Sequence, residues 1–354
     1  MVAFFECALA LFSVRSQARA SIRLHSTTVS ASGVPAMDVT IVEKLKYDDL
    51  LQWMRKQGST VNDKIYIDDS ERGGGYGAFV DEAIAEGEIL FEVPRTVCVT
   101  LDNVKKDTDC GRAFEEVMEK AGPGGNTVVM AGYLAKEYLK YLAGDESGLF
   151  GPYLDTLPWE RGVNAQEHVL FWSNRDVEEN LKGSFCYPES MGLRSEVKLA
   201  TKVLDNIVGP SIREARGEAK SGFQLPWEKN EQNGPVEGLS GAVTGAFVSI
   251  LTRGFEDGVD GAEKLVPLLD MLQHADEPNV SHNMRKADGV VEVKARRDIA
   301  VGEELLNQYR AENDDAMPYH RFFSRFGFVP DIMEPVGHLL ADESSIFYPK
   351  AEEV

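Results

Sequence analysis

Arg72-Gly-Gly-Gly-Tyr-Gly-Ala-Phe-Val80 is the stretch on which the fold of this 354-residue chain turns. Its glycines permit positive φ and let the backbone approach a neighbour closely. Gly73, Gly75 and Ala78 satisfy the G-x-G-x-x-A pattern of dinucleotide-binding folds. That pattern requires the loop to open a helix whose N-terminus receives a pyrophosphate. Here the loop runs into Gly77-Ala-Phe-Val80 and then, past Glu86-Gly-Glu88, into another β-type run. No helical period follows, so the dinucleotide reading is rejected, and with it an oxidoreductase. The loop is read as a hairpin turn between short strands.

Lys64–Ile67, Gly77–Val80, Glu88–Val93 and Val97–Thr100 are short runs rich in Val, Ile and Phe, broken by Gly, Asp and Pro. Tyr47–Lys56 precedes them as a short helix ending at Gly58. From about Asp102 the period becomes helical, over Gly111–Lys120, Val128–Leu142, Val177–Lys182, Glu196–Ile207 and Leu239–Phe255. The polar segment from Glu214 to Glu237 reads as an exposed loop. Strands return at Val290–Ala295 and Glu304–Gln308, and a short aromatic helix follows Pro318. Neither outer strand group is large enough for a stable sheet alone. The chain is therefore read as α+β, one β-rich domain interrupted by a helical insertion. Its parts are 38–101 and 241–330 for the β-rich domain, 102–240 for the insertion and 331–354 for a tail.

A net charge of −21, with 43% hydrophobic, 9% aromatic and 27% charged residues, excludes a disordered chain. No window approaches eighteen consecutive apolar residues, so no membrane-spanning helix is expected. The acidic balance lacks the basic footprint of nucleic-acid binding and permits a basic partner. Cys7, Cys98, Cys110 and Cys186 form no CxxC pair, and His274 and His282 have no acidic ligand motif around them, so no metal is expected. Between Cys7 and Met37 there are three arginines, many Ser, Thr and Ala residues and no acid. That composition fits an organelle transit segment over 1–37, for plastid or mitochondrion, and fits an ordinary terminus of a cytosolic chain equally well.

The glycine loop has company along the chain. Gly75-Tyr-Gly-Ala-Phe-Val80 with Ala85-Glu-Gly-Glu-Ile-Leu-Phe-Glu-Val-Pro94 resembles the opening of a SET-domain protein methyltransferase. Leu265-Val-Pro-Leu-Leu-Asp-Met-Leu-Gln-His274 resembles that family's P-L-x-D-x-x-N-H segment. Gly302-Glu-Glu-Leu-Leu-Asn-Gln-Tyr309 resembles G-E-E-x-x-x-x-Y, and Phe326-Gly-Phe-Val329 the closing Y-G-F-V. Within the insertion, Gly151-Pro-Tyr-Leu-Asp-Thr-Leu-Pro158 and Leu170-Phe-Trp-Ser173 are similar to P-Y-L-x-x-L-P and L-F-W-S. Ala246-Phe-Val-Ser-Ile-Leu-Thr-Arg-Gly-Phe255 is similar to a helix ending in S-R-x-F, with Thr252 for the Ser. These six ordered segments span roughly residues 60 to 330. They resemble the branch containing Rubisco large-subunit lysine methyltransferase and its non-histone relatives.

The resemblance implies a SET domain with knot-like threading near its C-terminal end, S-adenosylmethionine as cofactor and methyl transfer to a lysine nitrogen of a protein substrate. It implies that Gly75, Tyr76 and Gly77 offer backbone groups to the cofactor. Arg253 would pair with the carboxylate of the methionine part and reach the substrate side, while Asp270, Gln273 and His274 would line the cofactor site. Tyr309 would be catalytic and also touch the cofactor, and Phe326 would form the substrate wall. The chain departs from the family at Gln273, where Asn is usual, at Arg310 for a Gly, and at Phe326 for a tyrosine. Glu312 to Pro318 reads as a lengthened acidic loop. The family's C-terminal helical substrate-binding domain is expected to be short or absent, and the zinc-binding cysteines of histone-directed relatives are missing. A monomer acting on a lysine-bearing, basic protein segment is the expectation. A SET-like binding module without methyl transfer, and a histidine methyltransferase, are the alternatives.

Overall fold

The computed structural model describes residues 39–329 except 71, 73, 74, 146, 164, 165, 219–234, 259–261 and 310–317. The expected targeting segment 1–37, Arg310, most of the acidic loop after it and the tail 331–354 thus lie outside the described residues, as does most of the loop expected from Glu214 to Glu237. The strands on either side of the glycine loop pair as the hairpin reading requires. β1 (Thr60–Val61) and β2 (Ile65–Asp69) are followed by β3 (Tyr76–Val80), and β2 pairs antiparallel with β3, Ile65 opposite Val80 and Asp69 opposite Tyr76.

The main sheet joins strands from both ends of the chain. Its order is β1, then β4 (Ile89–Val93), then β9 (Val291–Ala295), then β8 (Val280–Met284). Antiparallel register sets Phe91 opposite Val293 and Val93 opposite Val291, all four buried. Alternation along β9 buries Val291, Val293 and Ala295 and turns Glu292 and Lys294 outward, as a half-buried strand demands. β8 buries only Val280 well, so its sequence shows no strand period. Val97–Thr100, expected as a strand, makes a single bridge between Val99 and Leu265. Thr100 there caps a short helix, its N–H donating to the Asn103 side-chain oxygen at 2.9 Å as in a capping box.

Helices occupy the centre of the chain: α1 (Val39–Lys56) lies before the strands, and α2 (Leu101–Lys105), α3 (Gly111–Ala121), α4 (Pro123–Leu142), α5 (Gly151–Leu154), α6 (Asn174–Leu181), α7 (Cys186–Ala215) and α8 (Leu239–Arg253) follow. α1 starts well before Tyr47, because the β-branched run Val39-Thr-Ile-Val42 hides its beginning from a propensity reading. α7 is far longer than Glu196–Ile207, continuing through Pro210. α4 and α8 pack together and bury Met130, Leu134, Val243 and Ala246 in one core, and Trp159 stacks on Tyr138 at 3.8 Å. Gly245 is needed there, since a Cβ would meet the Trp159 backbone at 2.7 Å. After α8 come β5 (Gly254–Glu256) and β6 (Glu263–Leu265), paired antiparallel, where the period had suggested helix to Phe255. None of the described helices is long and apolar enough to cross a membrane.

A second, smaller core holds the last described helix, α9 (Tyr319–Phe326). Tyr319, Phe322 and Phe323 pack with Val169, Trp172, Val177, Leu181 and Cys186 from the helical block. Fully buried His168 links the two parts: its Nδ1 accepts from Leu170 N at 3.2 Å, leaving Nε2 to donate to Ser324 O at 2.8 Å. Burial pushes its pKa down to about 4 from 6.5. The unfolded chain therefore binds the proton more tightly, and stability present above pH 6.5 is lost as pH falls toward 4. The loss amounts to about 3 kcal/mol. Urea unfolding of wild type and His168→Gln from pH 7.5 to 4 tests this: the variant is expected to show a distinctly shallower loss.

Candidate functional site

The site is built where the chain from Gly302 to Tyr309 passes between two strands. On one side Gly302 N donates to Val80 O and Leu305 N to Ala78 O, each at 2.7 Å, along β3. On the other, β10 (Leu306–Asn307) runs parallel to β7 (Gln273–His274), Leu306 opposite Gln273 and Asn307 opposite His274. Buried Asn279 clamps the same segment: its Nδ2 donates to Glu304 O and its Oδ1 accepts from Leu306 N, both at 2.7 Å. Tyr309 emerges at the end. Its N–H donates to His274 Nδ1 at 3.2 Å and its hydroxyl to Leu272 O at 3.0 Å.

Aromatic rings surround Tyr309. Phe326 lies 5.3 Å away by ring centroids, His274 5.2 Å and Phe328 6.3 Å, and Phe322 packs on Phe326 at 4.6 Å. α9 supplies Phe322 and Phe326, and Gly327, at φ +82°, turns the chain so that Phe328 folds back among them. Burial pushes the Tyr309 hydroxyl up to about 12. It stays protonated at physiological pH.

Beside this aromatic set lies a buried charge pair. Leu268 has φ +71°, a conformation that costs a non-glycine residue about 1–3 kcal/mol. It leads into a single turn of 3₁₀ helix, Leu269–Met271, whose three residues are all buried. Asp270 Oδ2 accepts from the Tyr153 hydroxyl at 2.5 Å and sits 3.9 Å from Arg253 Nη1 at the end of α8. Asp270 Oδ1 and Arg253 Nη1 are both buried and form no hydrogen bond. Burial raises the Asp270 pKa to about 6 from 3.8, opposed by Arg253 and the Tyr153 hydrogen bond. A raised folded pKa means stability present below pH 3.8 is lost as pH rises through 6, about 3 kcal/mol. Burial thus sets the ionised form of Asp270 against the stability of the folded chain.

The glycine turn meets the site from the other side. Gly75 has φ +78° and its carbonyl accepts from Ser70 N at 2.8 Å. Gln273 Nε2 donates to Tyr76 O at 3.2 Å, so the methylene that distinguishes it from Asn lets it tie β7 to β3. Gly75, Tyr76 and Gly77 are expected to offer backbone groups to the cofactor, and of these the Tyr76 carbonyl is engaged within the protein. The Tyr76 ring packs on Tyr47 at 4.5 Å. A Cβ on Gly77 would collide with the Glu304 carboxylate, so the close approach there is by Glu304.

Tyr309, His274 and Phe326 thus come together, Arg253 and Asp270 form the adjoining pair, and Gly75, Tyr76, Gly77 and Gln273 form the neighbouring strand edge. Sequence reasoning did not find Phe322 and Phe328 as ring partners, although the aromatic helix and the Phe326-Gly-Phe328 turn pointed there. It also did not single out Tyr153, Glu304 or Asn279. Tyr153 lies in the quoted Gly151–Pro158 segment, and its carboxylate partner is 117 residues away. Among the described residues no group of three His, Cys, Asp or Glu side chains could hold a metal ion.

A strand segment threaded between β3 and a parallel partner, ending in a tyrosine within an aromatic set, is the core of a recognised class of fold. The chain belongs to the SET-domain family, whose profile matches residues 75–310. It is similar to the N-lysine methyltransferase setd6 of Xenopus laevis, 24% identical over 265 residues, which are 73% of this chain and 53% of that protein. The setd6 protein of Danio rerio is 24% identical over 275 residues, 74% of this chain and 53% of that protein. The chain spans about half the length of these curated relatives. Among solved structures, the SET domain of LSMT bound to lysine and AdoHcy superposes with a TM-score of 0.58 at 14% identity, covering 81% of this chain and 57% of that one. Rubisco LSMT bound to sinefungin and monomethyllysine gives a TM-score of 0.57 at 15% identity, with the same coverage. The fold is shared with both.

The Gly77–Glu304 approach yields a direct test. Gly77→Ala is expected to destabilise the chain by about 1–3 kcal/mol through overpacking. Combining it with Glu304→Ala should recover part of that loss in a double-mutant cycle of urea unfolding.

Proposed function

We propose that this chain transfers a methyl group from S-adenosylmethionine to a lysine side-chain nitrogen of a non-histone protein. The observation that carries the reading is the pair of buried, unbonded atoms of opposite charge, Arg253 Nη1 and Asp270 Oδ1, beside Tyr309. A zwitterionic amino-acid head fits such a pair. Arg253 would hold its carboxylate, for which a guanidinium fork is suited, and Asp270 its ammonium. The β3 edge at Tyr76–Gly77 and the β7 residues Gln273 and His274 would line the remainder of the cofactor site. The similarity to N-lysine methyltransferases, and to structures containing AdoHcy and lysine, supports the same assignment. The name Rubisco LSMT supports a non-histone substrate.

When bound, the cofactor supplies a methyl group on a positively charged sulfur. The chain must then present a neutral amine in line with it. A lysine with pKa near 10.4 loses its proton at pH 7 at a cost of roughly 4.6 kcal/mol. Phe326, Phe322 and Phe328 lower that cost, because an apolar wall disfavours the ammonium form. Tyr309 already donates its proton to Leu272 O, so its oxygen is left to accept an amine N–H and aim the nitrogen lone pair. Burial raises its pKa further above the ordinary tyrosine value, which disfavours the phenolate form a base would need. Orientation in an apolar site is the main contribution the chain makes.

Calorimetric titration of S-adenosylmethionine into the full chain tests the reading, with Arg253→Ala as control. Micromolar binding that weakens at least about tenfold in the variant is expected. A folded wild type that binds nothing at millimolar ligand overturns it. Tyr309→Phe should keep cofactor affinity while transfer of labelled methyl to lysine peptides falls about 100-fold.

A further inference from the structure

We infer that Tyr153 is a positioning residue for the amino-acid end of the cofactor site, acting through Asp270. The inference rests on the methyl-transfer reading above. Tyr153 is 0% exposed and stands on the single-turn helix α5, far in sequence from every residue of the site. That turn is firmly held. Leu154 N donates to Phe150 O at 2.9 Å, Thr156 Oγ1 to Tyr153 O at 2.7 Å and Trp159 Nε1 to Leu154 O at 2.7 Å. Phe150 in turn packs against Trp53 of α1 at 6.3 Å. The hydroxyl therefore reaches Asp270 from a fixed platform.

A buried tyrosine hydroxyl needs an acceptor, and any main-chain carbonyl would serve. Here the acceptor is Asp270 Oδ2, the same oxygen that lies nearest Arg253. The consequence is steric and electrostatic together. The Tyr153 hydrogen bond fixes the orientation of the carboxylate, and in that orientation Arg253 stands 3.9 Å from Oδ2 and forms no hydrogen-bonded fork with it. Oδ1 is left as the one unengaged acceptor of that carboxylate. Tyr153 thus keeps apart two charges that would otherwise satisfy each other, and both stay available to a ligand carrying the complementary pair. Without the hydroxyl, Asp270 can rotate onto Arg253, and the two charges neutralise one another inside the protein.

The experiment compares two ligands that differ only at the amino-acid end. S-adenosylhomocysteine carries the carboxylate and the ammonium; 5′-methylthioadenosine has neither. Tyr153→Phe removes one oxygen, and its thermal midpoint verifies that the variant folds. The expected result is a loss of about tenfold in S-adenosylhomocysteine affinity with 5′-methylthioadenosine affinity unchanged. In an Asp270→Asn background, Tyr153→Phe should have no further effect on either ligand. Equal weakening of both ligands, or unchanged S-adenosylhomocysteine binding, overturns the inference and leaves Tyr153 a packing residue. A wild type that binds neither ligand overturns the methyl-transfer reading itself, a different outcome from either of these.

Discussion

The Tyr309 side of the site takes its place from one constraint: the backbone of residues 302–309 must be satisfied on two edges at once. A two-residue parallel pair such as β7 with β10 would be marginal alone. Here the same segment is also bonded to β3 through Gly302 and Leu305, and to Asn279 through both ends of its amide. Buried polar groups that are fully partnered hold a single arrangement, because each alternative leaves a donor or acceptor orphaned. Tyr309 comes directly after this doubly tied stretch. Its two hydrogen bonds go to Leu272 and His274, the residue before β7 and the last residue of β7, the strand with which β10 is paired. The catalytic candidate is thus positioned by main-chain pairing, and the aromatic rings of α9 pack on a residue already in place.

The charge pair is held differently. Arg253 stands at the end of α8, where the helix dipole favours a cation, and an exposed arginine would satisfy that preference equally well. Its side chain is instead 12% exposed and directed at Asp270, whose own side chain is 0% exposed. Removing both from water is expensive, and 3.9 Å without a hydrogen bond returns only part of the expense. The strained Leu268 backbone just before Asp270 adds to it. Such a set of costs at one place suits a site that a third group completes.

Much of this architecture was legible in the residues. The absence of a helical period after Gly77 correctly separated a hairpin from a nucleotide fold, and the apolar periods of α3, α4 and α8 located those helices to within a few residues. Elements whose signal was weak or misleading were harder to read. β8 is an edge strand with one well-buried side chain, and β5 and β6 are three residues each, too short for a period. α7 continues through Pro210 because neighbouring helices and α9 pack along it, a tertiary effect that propensity cannot express. In the site, Tyr309, His274 and Phe326 were recognisable because their motifs are local. Tyr153 and Asn279 act across long sequence separations, and only the folded chain shows whom they touch.

The departures at Gln273 and Phe326 can be judged on the same physical terms. Gln273 spends its extra methylene reaching Tyr76 O, so the substitution tightens the contact between β7 and β3 without opening the site. Phe326 keeps its ring against Tyr309 and so keeps the apolar contact; what it lacks is the hydroxyl a tyrosine would carry there. Neither change touches Arg253, Asp270 or the hydroxyl of Tyr309. A protein that only held a peptide in this cleft would gain nothing from an ionised carboxylate and a guanidinium kept apart in its interior, since a pair of well-packed apolar residues there would be at least as stable. Side by side, with Tyr153 bonded to Asp270 Oδ2, Arg253 and Asp270 form an arrangement that a ligand bringing both opposite charges would complete.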